Sequence, residues 1–436
     1  MRLINFLTAV AAVGLSVLAT CAYAAAEKPP VSLSALNAKV KERAAAKPRV
    51  PLAEGDTAAG LEVDAQELLE AGRIPNYLRA LSPYPGGPTA FAHLFRSVLY
   101  TGELEPEMKL GMALRIAQAY DAPYVAGHVE RLLRASERGQ DLLAYIQSEK
   151  FERASSRDDL ALKYADWLTQ DVHGVSDENF QKVRGHFNDS QIVELTLTVC
   201  FFNYFTRFSE ALRLPVEPWV LNSSAVVTQN GAEPPVERVG LISDAEIKAT
   251  REMDAALKDP KSPASSWRIG FANSMRAMLR CPEIAQAWRD YGSVVRQTAA
   301  IDRNLQLQIS FAVSMANGCR YCTLHQVLGL HRLGVSVTKL MEMKKNDDAL
   351  TPQERTAVFF ARKLTKEPGS ATDEDYAALR TEFGEKGALD VVLQTSAFAF
   401  MNRFTDGLRL PSEDEAIRVY KEVYGTEWKK PEKAGN

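Results

Sequence analysis

Residues 206–217 read TRFSEALRLPVE, and residues 402–413 read NRFTDGLRLPSE. Seven of these twelve positions are identical, and Ser/Thr, Glu/Asp and Ala/Gly exchanges account for three more. Arg207 and Arg403 stand 196 residues apart; upstream, Tyr124 and His128 precede Tyr321 and His325 by 197. Two matches about 80 residues apart, at nearly one offset, mark a tandem duplication. A chain of 436 residues exceeds what one hydrophobic core ordinarily serves, and two copies of one unit explain the length.

The repeated unit is helical. Apolar residues recur three and four apart over 107–120, 158–168, 178–187 and 191–212. No set of alternating strands with turn pairs interrupts them, so the fold class is all-α. The first unit spans 61–215 and the second 238–420. Between them lies a linker, 216–237, carrying Pro218, Asn230-Gly231 and Pro234-Pro235. Ser243-Asp244-Ala245-Glu246 has capping-box form and starts the second unit, which a tail over 421–436 follows.

The N-terminus has its own character. Arg2 precedes an apolar stretch that ends Ala22-Tyr23-Ala24, the pattern of a secretory signal peptide over 1–24 cleaved after Ala24. An uncleaved anchor helix and lipidation at Cys21 are the competing readings. Residues 25–60, rich in Ala, Pro and Lys, form a tether or a loosely docked helix. The expected location is therefore secreted or periplasmic. A net charge of −3 with no basic block gives no surface for nucleic acid.

Without the leader four cysteines remain, and only Cys319 and Cys322 are neighbours. Cys200 lies in an apolar run where an inert thiol is expected, and Cys281 sits beside Pro282. Residues 317–334 read NGCRYCTLHQVLGLHRLG. Asn317-Gly318 ends an apolar helix over 308–316, so Cys319 opens the next helix with Cys322 one turn on. Free N–H groups and the positive dipole end at a helix start lower a thiol's pKa. The two-residue spacing lets the sulfurs join once one is oxidised. His325 shares a helix face with Cys322, where an imidazole takes a thiol proton or steadies a thiolate. The same residues admit a zinc site from Cys319, Cys322, His325 and His331, or a passive disulfide.

The segment resembles the core of the carboxymuconolactone decarboxylase superfamily, in its AhpD-like alkylhydroperoxidase branch. Asn317, Gly318, Cys319, Tyr321, Cys322 and Gly334 match that branch's pattern, as do Leu364-Thr365 and Asn402-Arg403-Phe404 downstream. Allowing for the duplication, the likeness covers roughly 73–215 and 238–415. The resemblance implies two helical bundles fused as a pseudo-dimer, with further assembly into a homo-oligomer. It also implies that Cys322 attacks a hydroperoxide and that Cys319 resolves the sulfenic acid to a disulfide. No cofactor is then needed; an external thiol reductant, supplied by an electron-donor protein, resets the pair.

Two positions depart from the family. Its usual histidine, four residues after the second cysteine, is Gln326 here, and His325 comes one place early. Its relay glutamate falls on Leu307, flanked by Gln306 and Gln308. In the first copy Ala122 and Val125 replace the cysteines, so no thiol chemistry is possible there. The function expected is a thiol-dependent peroxidase or dithiol oxidoreductase with catalytic Cys322, Cys319 and His325. The alternatives are a decarboxylase-like enzyme acting on a lactone or aromatic-degradation intermediate, and a non-catalytic exported binding protein.

Overall fold

Polar caps cut the helical pattern into segments. The side chains of Ser136, Ser176 and Asp302 each accept a first-turn backbone N–H. At Ser156, Asn188, Thr351 and Thr372 a reciprocal bond from Asp159, Gln191, Glu354 or Asp375 completes a capping box. The structure is a computed structural model that describes residues 30–53, 74–148, 156–221, 272–345 and 347–429. The leader over 1–24, the linker beyond Leu221, the capping box at Ser243–Glu246 and the last residues of the tail lie outside the described residues.

In the first half the principal helices are α1 (Leu33–Arg43), α2 (Gly87–Tyr100), α3 (Pro106–Tyr120), α4 (Pro123–Leu133), α5 (Glu137–Gln147), α6 (Arg157–Gln170), α7 (Asp177–Arg184) and α8 (Asp189–Ala211). The second half has α9 (Pro282–Gln297), α10 (Arg303–Asn317), α11 (Arg320–Arg332), α12 (Val337–Lys345), α13 (Pro352–Lys366), α14 (Asp373–Gly407) and α15 (Asp414–Tyr424). The chain is all-α: among the described residues there is no strand, and no helix is long and apolar enough to cross a membrane. The expected segments reappear within a few residues of their limits. The exception is 178–187, which closes early, at Arg184 ahead of Gly185, whose backbone N–H is shared between the Gln181 and Lys182 carbonyls. Its counterpart in α14 also breaks: Gly384, with φ of 68° and ψ of 178°, divides α14 into two helical segments, a conformation that costs glycine little.

The halves meet through equivalent elements. The most extensive packing joins α8 to α14, and α2 lies against α9 beside it. One apolar core continues from Leu33 to Phe404 through both halves, so the two units share an interior. A second cluster around Leu307, Leu324, Leu328 and Tyr420 belongs to the second half alone. Residues 30–53 are docked. Leu33, Leu36 and Val40 of α1 are buried against α4, and Arg43 pairs with Glu210 at 2.7 Å. Arg49 then reaches both halves, donating to Ala211 O at 2.9 Å and Ala371 O at 2.8 Å.

Polar contacts across the interface are reciprocal. Arg207 donates to Thr365 O at 3.0 Å, and Arg403 donates to Thr169 O at 3.1 Å. Arg213 pairs with Asp373 at 3.0 Å, and Arg409 pairs with Asp177. Each residue lies 196 positions from its counterpart in the answering pair, the exchange that an isologous contact between like surfaces requires. One residue breaks the symmetry. Tyr120 OH accepts from Arg207 at 3.0 Å and from Arg403 at 2.9 Å, and donates to Thr169 O at 3.0 Å. Asn317 stands at its counterpart position and bonds Asn402 at 2.9 Å instead. Burial pushes the Tyr120 phenol up, but the two guanidinium groups outweigh it and hold the phenol below its usual range.

Arg207 and Arg403 are buried cations, and an acceptor removed from such a group leaves its desolvation uncompensated. Tyr120→Phe is expected to lower unfolding free energy by about 1–3 kcal/mol. Urea unfolding followed by circular dichroism measures it; an unchanged midpoint means the phenol does not hold the interface.

Candidate dithiol site

Helix α10 ends at Gly318, whose φ of 68° takes the left-handed turn that reverses the chain. Cys319 follows as N-cap of α11, and its sulfur accepts the backbone N–H of Cys322 at 3.3 Å. The thiol thus does the capping work usually given to a hydroxyl. Both sulfurs then converge on α14: Thr405 Oγ1 lies 3.3 Å from Cys319 Sγ and 3.3 Å from Cys322 Sγ. Cys319, Tyr321 and Cys322 form a small buried cluster bordered by Met401 and Leu410.

The two thiols are not alike. Cys319 has no exposed surface, whereas Cys322 keeps 3%. Burial pushes the Cys319 thiol well above its usual range, and the neighbouring Cys322 and the Asp406 charge act in the same direction. Thr405 opposes them and does not prevail. The expected acidifying effect of a helix start is therefore overridden at Cys319.

His325 does not serve the thiols as expected. Its Nδ1 bonds Tyr321 O at 2.7 Å, and its ring stacks on Tyr321 with centroids 4.2 Å apart. Its Nε2 lies 2.7 Å from Glu413 Oε2, at an angle poor for a hydrogen bond. Both ring nitrogens thus face oxygens away from the sulfurs. Glu413 also accepts from Tyr321 OH at 2.9 Å and from the backbone N–H of Asn273 at 2.7 Å. The first half repeats this network without the cysteine pair beside it. His128 meets Glu217 at 2.9 Å, Tyr124 OH donates to Glu217 at 2.8 Å, and Asn76 N–H donates to the same carboxylate. A Tyr–His–Glu clamp present in both halves is a structural device that secures the entry segment of each bundle.

The family's remaining relay position is apolar. Leu307 is buried among Leu324, Val327 and Leu328. Gln306 bonds Ile301 O at 3.1 Å, and Gln308 bonds Glu354 at 2.6 Å, so both amides are committed to holding helices. Gln326 is buried, its Oε1 unpartnered. The four candidate zinc ligands do not gather. His325 is turned to Glu413, and His331 is exposed at the far end of α11, ~18 Å along the helix from Cys319 at 1.5 Å per residue.

Three residues at the site carried no functional reading in the sequence. Thr405 and Glu413 lie inside the repeated block, with Ser209 and Glu217 as counterparts, so the repeat itself held the signal. His173 had none. It comes from the first half, and its Nε2 lies 3.2 Å from Gly318 O and 3.6 Å from Asp406. The first half therefore walls the thiol site although Ala122 and Val125 leave it without thiols of its own.

Comparison with known proteins finds a family model that is similar to part of the chain. Residues 282–363, which contain the cysteine pair, match the model of the carboxymuconolactone decarboxylase family. No curated protein matches the chain. Among solved structures, the debrominase Bmp8 in its apo form is similar at 23% identity and a TM-score of 0.32, over 35% of this chain and 83% of that one. A cysteine-to-alanine variant of Bmp8 in complex with 2,3,4-tribromopyrrole is similar at 22% identity and a TM-score of 0.35, over 39% and 93%.

The clamp has a measurable pH signature. Burial raises the Glu413 carboxyl, but His325, the Asn273 N–H and Tyr321 outweigh it and bring it from 4.5 down to about 2. A depressed carboxyl contributes stability above its unfolded value and loses it as pH falls through the folded one. Glu413→Gln is therefore expected to be less stable than the parent at neutral pH, the difference closing between pH 4.5 and about 2. Denaturant midpoints across that range test this; a gap constant with pH contradicts it.

Proposed function

We propose that this chain is a dithiol oxidoreductase, acting on hydroperoxides, that cycles Cys319 and Cys322 between thiols and a disulfide. The observation that carries the reading is the convergence of both sulfurs, one helical turn apart, on the single Thr405 hydroxyl. Cys322 is the attacking thiol: it lies in the first turn of α11 and retains exposed surface, whereas Cys319 is sealed. Its thiolate attacks a hydroperoxide oxygen, the O–O bond breaks, and the alcohol leaves with a proton while Cys322 becomes a sulfenic acid. Cys319 sulfur then bonds Cys322 sulfur, the S–O bond breaks, and water departs. A thiol-bearing donor protein restores both thiols by exchange. His325, locked in the clamp, orients the start of α11 and takes no proton.

Export through the leader places the reaction outside the cytosol, where a dedicated thiol donor is required. Reduced protein treated with one equivalent of hydroperoxide is expected to form the Cys319–Cys322 disulfide, mapped by peptide mass. Cys322→Ser is expected to abolish turnover, and Cys319→Ser to leave a sulfenic acid that dimedone traps. Unchanged peroxide turnover in Cys322→Ser ends the proposal.

A further inference from the structure

Disulfide formation from a thiol and a sulfenic acid needs the Cys319 proton removed and the departing oxygen protonated. Cys319 and Thr405 are both wholly buried, so bulk water does not reach the Cys319 proton. His325, the base expected from sequence, has both nitrogens occupied in the clamp. Leu307 offers no carboxylate at the family's relay position. Thr405 is the group in contact with both sulfurs, at 3.3 Å each. Its hydroxyl at rest bonds Met401 O at 3.0 Å, one turn back along α14. A threonine hydroxyl has one proton to give and two lone pairs to receive, so it can pass a proton on while taking another. Ser209, its counterpart, bonds the backbone Thr206 O at 3.2 Å, and Ala122 and Val125 stand in that half where the two cysteines stand in the other.

We propose that Thr405 is a catalytic residue that relays the Cys319 thiol proton to the oxygen leaving Cys322. The inference rests on the dithiol reading above. As the Cys319 S–H proton moves to Thr405 Oγ1, the threonine's own proton moves to the hydroxyl departing from Cys322. The S–S bond forms, the S–O bond breaks, and one water is released. Cys319 sulfur is oxidised, Cys322 sulfur is reduced from the sulfenic level, and Thr405 ends as it began. Rotation of the hydroxyl away from Met401 O is local, because that carbonyl belongs to the helical backbone ladder.

The test isolates the second step without any peroxide. Full-length reduced protein is mixed with DTNB, which places a thionitrobenzoate on Cys322; attack by Cys319 then releases a second thionitrobenzoate. The leaving group differs, but the Cys319 proton must still depart. Thr405→Val is expected to slow this second release about a hundredfold, the low end of what a positioned proton carrier contributes. Thr405→Ser restores it, and the equilibrium potential of the pair in glutathione buffers stays at the parent value in both. Thr405→Ala shows the same loss should the valine variant fail to fold. An unchanged second release in Thr405→Val, no rescue by serine, or a parent protein without a second release overturns the proposal. Hydroperoxide that leaves the parent pair reduced, with the Thr405 dependence intact, ends the peroxidase reading and the transfer to oxygen, and leaves Thr405 as the acceptor of the Cys319 proton in thiol–disulfide exchange.

Discussion

Two guanidinium groups sealed from water, Arg207 and Arg403, set how the halves of this chain fit together. Each leaves its own half to bond a backbone carbonyl of the other, and both share the Tyr120 hydroxyl. A buried cation tolerates little displacement, because each lost acceptor exposes its desolvation cost. The register of α8 against α14 is thereby held. Arg403 and Thr405 belong to the same stretch of α14, so the interface that locks the arginine also fixes the hydroxyl behind the cysteines. Interface and site are two uses of one helix.

The same economy explains what the halves share and where they part. Both keep the Tyr–His–Glu clamp, because both must anchor an entry segment to a bundle: Asn76 on Glu217 and Asn273 on Glu413. Only the second half places sulfur at the start of the neighbouring helix. Where Cys319 caps α11, Ala122 precedes α4 with no side-chain cap, and Pro123 supplies the helix start instead. The first half is nonetheless part of the site's surroundings through His173, whose imidazole lies between Gly318 O and Asp406.

Some of this was legible in the residues. Period and capping signals located the helices, since both depend on neighbours a turn away. The pair at Cys319 and Cys322 was legible for the same reason: Asn317-Gly318 ends one helix and the next begins at once. His325 was misread because spacing along a helix gives a shared face but not a partner. Tyr321 and Glu413 capture the ring, and Glu413 lies 88 positions further along the chain. Thr405 sat in view within NRFTDGLRLPSE, yet nothing local distinguishes a hydroxyl that meets sulfur from one that bonds its own helix.

By itself the sequence determined that the chain is helical, that short blocks recur in it about 196 residues apart, and that one half carries a dithiol at a helix start. These are properties of short windows and of self-comparison, where hydrogen-bond period and side-chain type suffice. Tertiary structure alone decided which groups touch the sulfurs, that burial overrides the helix-start effect at Cys319, and that the repeated arginines bond across halves. Those outcomes depend on desolvation and on contacts between distant segments, and no local pattern encodes either.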